Sequence, residues 1–285
     1  MGATVMEYSF TRYLAAKQSV DDRSLNHGVY AALVGALPNA PLAILEAGAG
    51  TGTMIDRLAA RGLLSRGGHY TAVDDDPANV AAARARLSQA ELPVSMDFVA
   101  ADILEFALRE RGRRRWDVLI ASAFLDLADV DSLLPRLFEL LNPGGHFYFT
   151  INFDGLTILE PPIDPEFDEQ VIDVYHRTMD ERRVDGRPTG GSRAGRALLG
   201  QIPAAGGDIL AAGSSDWVVL PRNGLYPADE AYFLRHILHF FEGSLTGRPE
   251  LEPDRFADWL ARRHAQIDAG ELILIAHQLD VFGRV

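Results

Sequence analysis

Short apolar runs alternate along the first half of the chain with stretches in which apolar positions recur at helical spacing. Residues 42–47, 69–73, 94–100, 116–122 and 144–152 read as strands, rich in Val, Ile, Leu and Phe and bounded by Gly, Asp or Asn. Between them lie helices over 54–61, 78–87, 104–108 and 130–141. Gly62 ends the first of these, Pro77 opens the second behind an Asp76 cap, and Asn142-Pro143-Gly144-Gly145 closes the last and turns into the fifth strand. Five strands alternating with helices imply an α/β fold with a parallel, doubly wound sheet, and such a sheet binds ligands at the carboxyl edge of its strands. The residues ahead of the sheet read as two helices, 8–20 and 23–37, with Ser19-Val20-Asp21-Asp22 as the break.

The turn after the first strand carries the strongest chemical signal. LAILEAGAGTGT, residues 42–53, is a strand, a glycine turn and a helix start. Glycine lets the turn take positive φ and lets backbone approach a ligand closely, while the helix behind it offers free N–H groups. A dinucleotide loop requires G-x-G-x-x-G, which places its third glycine at 53 when counted from Gly48 and Gly50; Thr53 stands there, and the glycine is at 52. An NAD(P)-dependent oxidoreductase is therefore the less favoured reading. The pattern, with Glu46 leading Gly48, Gly50 and Gly52, resembles motif I of the class I S-adenosylmethionine (SAM)-dependent methyltransferases. The "LLNPGGHFYF" phrase before the fifth strand resembles the same family, so the resemblance spans 42–152.

The resemblance implies SAM as cofactor and gives the acidic residues expected roles. Glu46 would lie near the methionine amino group. Asp74 ends the second strand 22 residues past Gly52, where a carboxylate can accept hydrogen bonds from the two ribose hydroxyls. Asp75 would line the adenine side, although the Asp74-Asp75-Asp76 run also suits a helix N-cap. Asp102 would meet the adenine amino group with Ile103 against the ring, in competition with capping the helix that follows. Ser122, at the end of the fourth strand, is a further cofactor-side candidate. The segment Ala121-Ser122-Ala123-Phe124 lacks the N-P-P-Y type sequence with which amino-methyltransferases of DNA and glutamine hold a planar amide or base. Lys17 is the only lysine among 27 basic residues. With Tyr13 it shares one helix face, and the pair either binds the SAM carboxylate or is a solvated lysine beside a packed tyrosine.

The family's sheet has seven strands, the last two antiparallel, and segments 208–220 and 271–282 supply them. The expected organisation is an N-terminal helical extension over the cofactor (1–40), the SAM-binding core (41–152), a substrate-side helical insertion (153–207) and strands six and seven (208–285) with a cap insertion at 221–270. The insertions contain expected helices at 165–182, 193–201, 227–243 and 254–269. Methyl transfer from a sulfonium needs no protein nucleophile, only alignment and, for some acceptors, a base. Asp154, His176 and His236 are the base candidates. His236 and His239 sit three apart on a helix but lack a carboxylate in metal spacing, so no metal is expected.

Composition narrows the partners. A net charge of −13 disfavours a nucleic-acid substrate bound through phosphates. The basic run 109–115 precedes the fourth strand, on the edge away from the cofactor, and reads as a solvated loop. The absence of cysteine excludes a thiolate nucleophile, hence the cytosine-C5 methyltransferase mechanism. No apolar stretch is long enough to span a bilayer, residues 1–10 lack a signal-peptide pattern, and Met6 breaks the myristoylation pattern. The expectation is a cytoplasmic enzyme with a small-molecule substrate, either an O- or N-methyltransferase or a methyltransferase-like protein that binds SAM without catalysis. The sequence is silent on oligomeric state.

Overall fold

The computed structural model describes residues 8–184 and 186–285; the leader and myristoylation readings concern Met1–Glu7, outside the described residues. The expected α/β architecture is present. Strands β1 (Leu42–Ala47), β2 (Gly68–Asp74), β3 (Val94–Ala100), β4 (Trp116–Ser122) and β5 (Leu141–Glu160) are mutually parallel in the order β3-β2-β1-β4-β5. Helices α3 (Thr53–Ala60), α4 (Pro77–Leu87), α5 (Ile103–Glu110) and α6 (Val130–Phe138) connect them. The central strands are buried on both faces, so β1 and β4 read as nearly unbroken apolar runs. Beyond β5 the sheet continues antiparallel with β10 (Ile273–Arg284) and then β8 (Asp208–Ser214). The expected sixth strand is split. A short β9 (Trp217–Val219) pairs with the early part of β10 and β8 with its later part, so the two fill one position in the sheet. The split coincides with the bulge in β10 between Ala276 and Gln278, where His277 Nδ1 and Asp216 meet at 2.7 Å.

Three boundaries differ from the sequence reading for identifiable reasons. Helix α1 (Phe10–Ser24) runs through the expected break at 19–22. The polar side chains there do not compete for their own backbone, because tertiary partners claim them: Ser19 donates to Glu230, and Asp21 and Asp22 both accept from Arg57. The break comes at Leu25, and Asn26 caps α2 (His27–Ala36) by accepting from the Val29 N–H at 3.0 Å. Helix α6 stops at Phe138, and Asn142-Pro143-Gly144-Gly145 lies inside β5 as a register shift against β4. Helix α9 (Glu230–Leu245) passes Gly243, since burying Leu245, worth about 1.5–3 kcal/mol, outweighs the roughly 1 kcal/mol cost of a helical glycine.

The helices of the N-terminal extension and of the insertions divide among separate cores. Helices α1, α7 (Pro165–Glu181), α9 and α10 (Pro253–Asp268) share one core, in which Tyr13, Val174, Phe233, Phe241 and Trp259 interlock. Arg23–Glu230 and Arg12–Asp229 ion pairs fasten α1 to α9 at the surface of this layer. Helix α8 (Ala194–Ala204) instead packs Leu198 and Ile202 into the core that α5 and α6 build on one face of the sheet. A small hairpin, β6 (Arg183–Val184) and β7 (Arg187–Pro188), links α7 to α8.

One buried carboxylate joins the extension to the sheet. Asp280, fully buried on β10, accepts 2.8 Å hydrogen bonds from the backbone N–H of Ile151 and of Asn26. Ile151 has φ +56°, a conformation that costs a β-branched residue about 1–3 kcal/mol and persists only when its surroundings enforce it. Asp280→Ala leaves both donors buried without partners, so a loss of about 3 kcal/mol or more is expected, read as a lower urea midpoint at unchanged m-value. A midpoint within 0.5 kcal/mol of wild type, again on the order expected for a surface change, would show that the bulge stands without it.

Candidate functional site

A cavity of about 520 Å³ opens at the carboxyl edge of the parallel strands, between the turns after β1, β2, β3 and β4 and the underside of α1. A smaller recess of about 40 Å³ adjoins it beneath Lys17 and over Glu46. Gly48 and Gly50 line both spaces, and Gly52 follows behind them against α4, with φ of +67°, +53° and +76°. A Cβ on Gly48 would stand 2.4 Å from the Phe124 ring, so this glycine is required by space as well as by conformation. Gly52 is the N-cap of α3, which leaves that helix's first N–H groups directed at the recess side of the loop.

Asp74 is buried at the end of β2 and is already well held. Its Oδ2 accepts from the Gly50 N–H at 2.7 Å, and its Oδ1 accepts from the Asp76 N–H at 3.2 Å and the Asn79 Nδ2 at 3.0 Å. The carboxylate thereby ties the glycine loop to the start of α4. Asp75 is exposed at the cavity wall, and Asp76 caps α4 by accepting from Ala78 N–H at 2.8 Å. Asp102 caps α5 with a single oxygen: Oδ1 accepts from Leu104 and Glu105 N–H at 2.8 and 2.9 Å. The two readings of Asp102 are thus compatible, since Oδ2 is not used by the cap. Ile103 is buried beside it on the cavity wall. Ser122 lies between the cavity and the recess and accepts from Thr150 Oγ1 at 3.0 Å.

Glu46 sits in the recess, 2% exposed, with Tyr70 Oη donating to its Oε2 at 2.8 Å. Burial pushes its pKa up to about 8 against the opposing Tyr70 hydrogen bond and the more distant Arg57. A protonated acid in a recess is a latent anion awaiting a cation. Lys17 lines both spaces, with its ammonium 3.0 Å from Asp21 Oδ2 and 5.4 Å from the centre of the Trp217 ring. Asp21 is shared with Arg57 at 3.2 Å and with Trp217 Nε1 at 2.9 Å. Tyr13 does not line the cavity. Its ring faces α9, 4.6 Å from His236 and 5.7 Å from Phe233 between centroids, so the packed reading describes its position.

The three base candidates lie apart from the cavity and from one another. Asp154 is buried and accepts from the backbone N–H and Nε of Arg196 at 2.8 and 2.7 Å, holding the start of α8. His176 pairs with Thr157 Oγ1 at 3.0 Å in a separate groove of about 370 Å³ between the outer part of β5, α7 and α10. His236 is buried among Tyr13, Tyr232 and Phe240, and burial lowers its pKa to about 4, which keeps it neutral. No metal-binding cluster of His, Asp or Glu occurs among the described residues.

Two residues escaped the sequence reading, one on the cavity wall and one in the turn behind it. Asn79 lines the cavity behind Asp74. Asp126 follows β4 on a single 3-10 turn, Leu125–Leu127, between two cavity residues, Phe124 and Leu127. It has no side-chain partner among the described residues, and burial raises its pKa despite the nearby Arg182 and Lys17. Tyr13 and Tyr175 approach it closely enough to feel its charge, and burial pushes the Tyr175 phenol up to about 12. The available signal for Asp126 was its place two residues beyond the segment 121–124; nothing in the local pattern marked it.

Residues 45–147, from β1 into β5, match a family model described as "Methyltransferase domain". No curated protein matches the sequence. Among solved structures the chain is similar to a suspected methyltransferase from Bacillus halodurans, at 13% identity and TM-score 0.52 over 91% of this chain and 99% of that one. It is also similar to SAM-dependent methyltransferases of Mesorhizobium loti, 19% identical with TM-score 0.43 over 92% and 100% of the two chains, and of Thiobacillus denitrificans. The latter, solved with S-adenosylhomocysteine, is 16% identical with TM-score 0.48 over 98% and 100% of the chains.

Proposed function

We propose that the chain, whose residues 45–147 match a methyltransferase domain, is a SAM-dependent methyltransferase that methylates an oxygen or nitrogen of a small, partly aromatic or apolar molecule held beneath the helical cap. When bound, SAM supplies an activated methyl group for in-line displacement. The chain's residues suit it. Glu46 in the recess matches an ammonium, the first N–H groups of α3, beginning at Thr53, and the Lys17 cation match a carboxylate, and Asp74 matches the ribose. Asp102 Oδ2 is left for the adenine amino group, with Ile103 against the ring and Asp75 at its side. Ser122 borders the junction between the methionine and acceptor ends.

The observation that carries the acceptor half of this reading is Asp126. Phe10 and Leu14 of α1, Phe124 and Leu127 give the adjoining cavity wall an apolar and aromatic character suited to a small organic acceptor rather than a phosphate backbone. Asp126 stands in the turn between the wall residues Phe124 and Leu127, not on the wall itself; without a side-chain partner among the described residues and with its pKa raised by burial, it is the carboxylate that a small shift of this turn would bring to the proton that a hydroxyl or ammonium must lose. Asp154, His176 and His236 were candidates for the same task; Asp154 is held by Arg196, His176 pairs with Thr157 in a separate groove, His236 stacks in the aromatic core away from the cavity, and Asp126 takes the role in this proposal.

The test is transfer of labelled methyl from SAM to a panel of small phenols, alcohols and amines, followed by Asp126→Asn on the best acceptor. Loss of a general base should lower kcat by about 10²–10⁴-fold while S-adenosylhomocysteine binds as before. Tight cofactor binding without methyl transfer to any member of the panel would favour the reading of a SAM-binding protein without catalysis.

A further inference from the structure

We propose that Asp74 does not hold the cofactor's ribose alone: Asn79 accepts a hydrogen bond from one of the two ribose hydroxyls and Asp74 from the other. The inference rests on the reading that Asp74 faces the ribose. A carboxylate offers about four lone-pair positions. Three protein donors already occupy Asp74: the Gly50 N–H on Oδ2, and the Asp76 N–H and Asn79 Nδ2 on Oδ1. Oδ1 is therefore filled and Oδ2 keeps one position, enough for one hydroxyl of a vicinal diol but not for both. All three donors belong to the scaffold that shapes the loop and opens α4, so none is released without dismantling the site.

Asn79 supplies the missing acceptor. It is 3% exposed and lines the same cavity. Its amide orientation follows from its partner, because Asp74 Oδ1 is an acceptor that also takes the Asp76 N–H, so Nδ2 faces Asp74 and Oδ1 faces away. That Oδ1 is buried and has no partner among the described residues. An unsatisfied buried carbonyl is costly, and a donor arriving with a ligand removes the cost only in the bound state, which makes the group a source of affinity. The side chain thus has two tasks. Its Nδ2 orients Asp74, and its Oδ1 completes the count for the diol.

The test is calorimetric titration of wild type, Asn79→Ala and Asp74→Ala with S-adenosylhomocysteine and its 2′-deoxy and 3′-deoxy analogues. Wild type should bind each deoxy analogue about tenfold more weakly than the parent. Asn79→Ala should bind the parent about tenfold more weakly and bind one deoxy analogue as well as the parent, while still discriminating against the other. A variant that binds the parent like wild type, or still discriminates against both analogues, overturns the proposal; so does a variant equally indifferent to both, which would mean that Asn79 acts only by orienting Asp74. Should Asp74→Ala bind the parent undiminished, it is instead the placement of the ribose at Asp74 that fails. If Asn79→Ala does not fold, the wild-type Asn79 side-chain amide resonance is followed: it should move with the parent and with one analogue but not the other, and equal movement with both overturns the proposal.

Discussion

Asp74→Ala is expected to remove measurable SAM and S-adenosylhomocysteine binding while leaving a folded protein. A hydrogen bond to a charged group is worth about 1.5–3 kcal/mol, and this substitution also frees the Gly50, Asp76 and Asn79 donors that hold the glycine loop in its binding shape. A weakening of at least about 100-fold follows, since each 1.4 kcal/mol is tenfold. Thermal shift reads it simply. Ligand at a hundred times its Kd adds about 2.7 kcal/mol to wild type, and for a chain of this size each kcal/mol raises the midpoint by roughly 2–4 °C. The wild-type rise should vanish in Asp74→Ala, with NAD and NADP inert toward both. An undiminished rise in the variant would place the cofactor elsewhere.

Ionisation of Glu46 should make cofactor affinity climb with pH through the neutral range. Burial holds its pKa at about 8 in the folded chain, against 4.5 without that environment. Between those values the folded state keeps a proton that the unfolded state has lost, so the ligand-free protein loses stability as pH rises, by up to about 1.4 kcal/mol per pH unit. Its stabilising protonated form is complete below about 4.5 and gone above about 8. Pairing with the cofactor's ammonium reverses the preference, because only the carboxylate attracts it. Binding near pH 7 should release about one proton, and affinity should improve by up to about tenfold per unit between pH 6 and 7.5. Glu46→Gln should flatten that dependence, weaken binding by about 100-fold at pH 7.5, and raise the melting point of the ligand-free protein at pH 9, where wild type buries a charge. Calorimetry in buffers of different ionisation enthalpy counts the proton; pH-independent affinity with no proton released would remove Glu46 from the ammonium site.

Much of the cofactor half was legible because its determinants are local. Gly48, Gly50 and Gly52 are spaced by what one turn requires of φ, and all three are left-handed. Asp74 and Asp102 stand at strand ends because strands end at the ligand edge, and Asp102 caps α5 while still lining the cavity. The acceptor half was less legible. Asp154, His176 and His236 were sound choices by residue type and order along the chain, yet their partners, Arg196, Thr157 and Tyr13, come from segments that no local pattern pairs with them.

The sequence by itself determined the alternation of strands and helices, the parallel core and the left-handed glycine turn at its ligand edge, because periodicity of 2.0 or 3.6 and glycine spacing act over a few neighbouring residues. Only the tertiary structure decided that α1 would run through Ser19-Val20-Asp21-Asp22, that the helices of one insertion would pack into two separate cores, and that Asp126 would stand without a side-chain partner among the described residues in the turn behind the cavity wall. Those outcomes depend on which distant side chains compete for the same donor or the same space. Burial, a freed lone pair and an unpaired carboxylate are properties of an assembled environment, and no single segment of chain carries them.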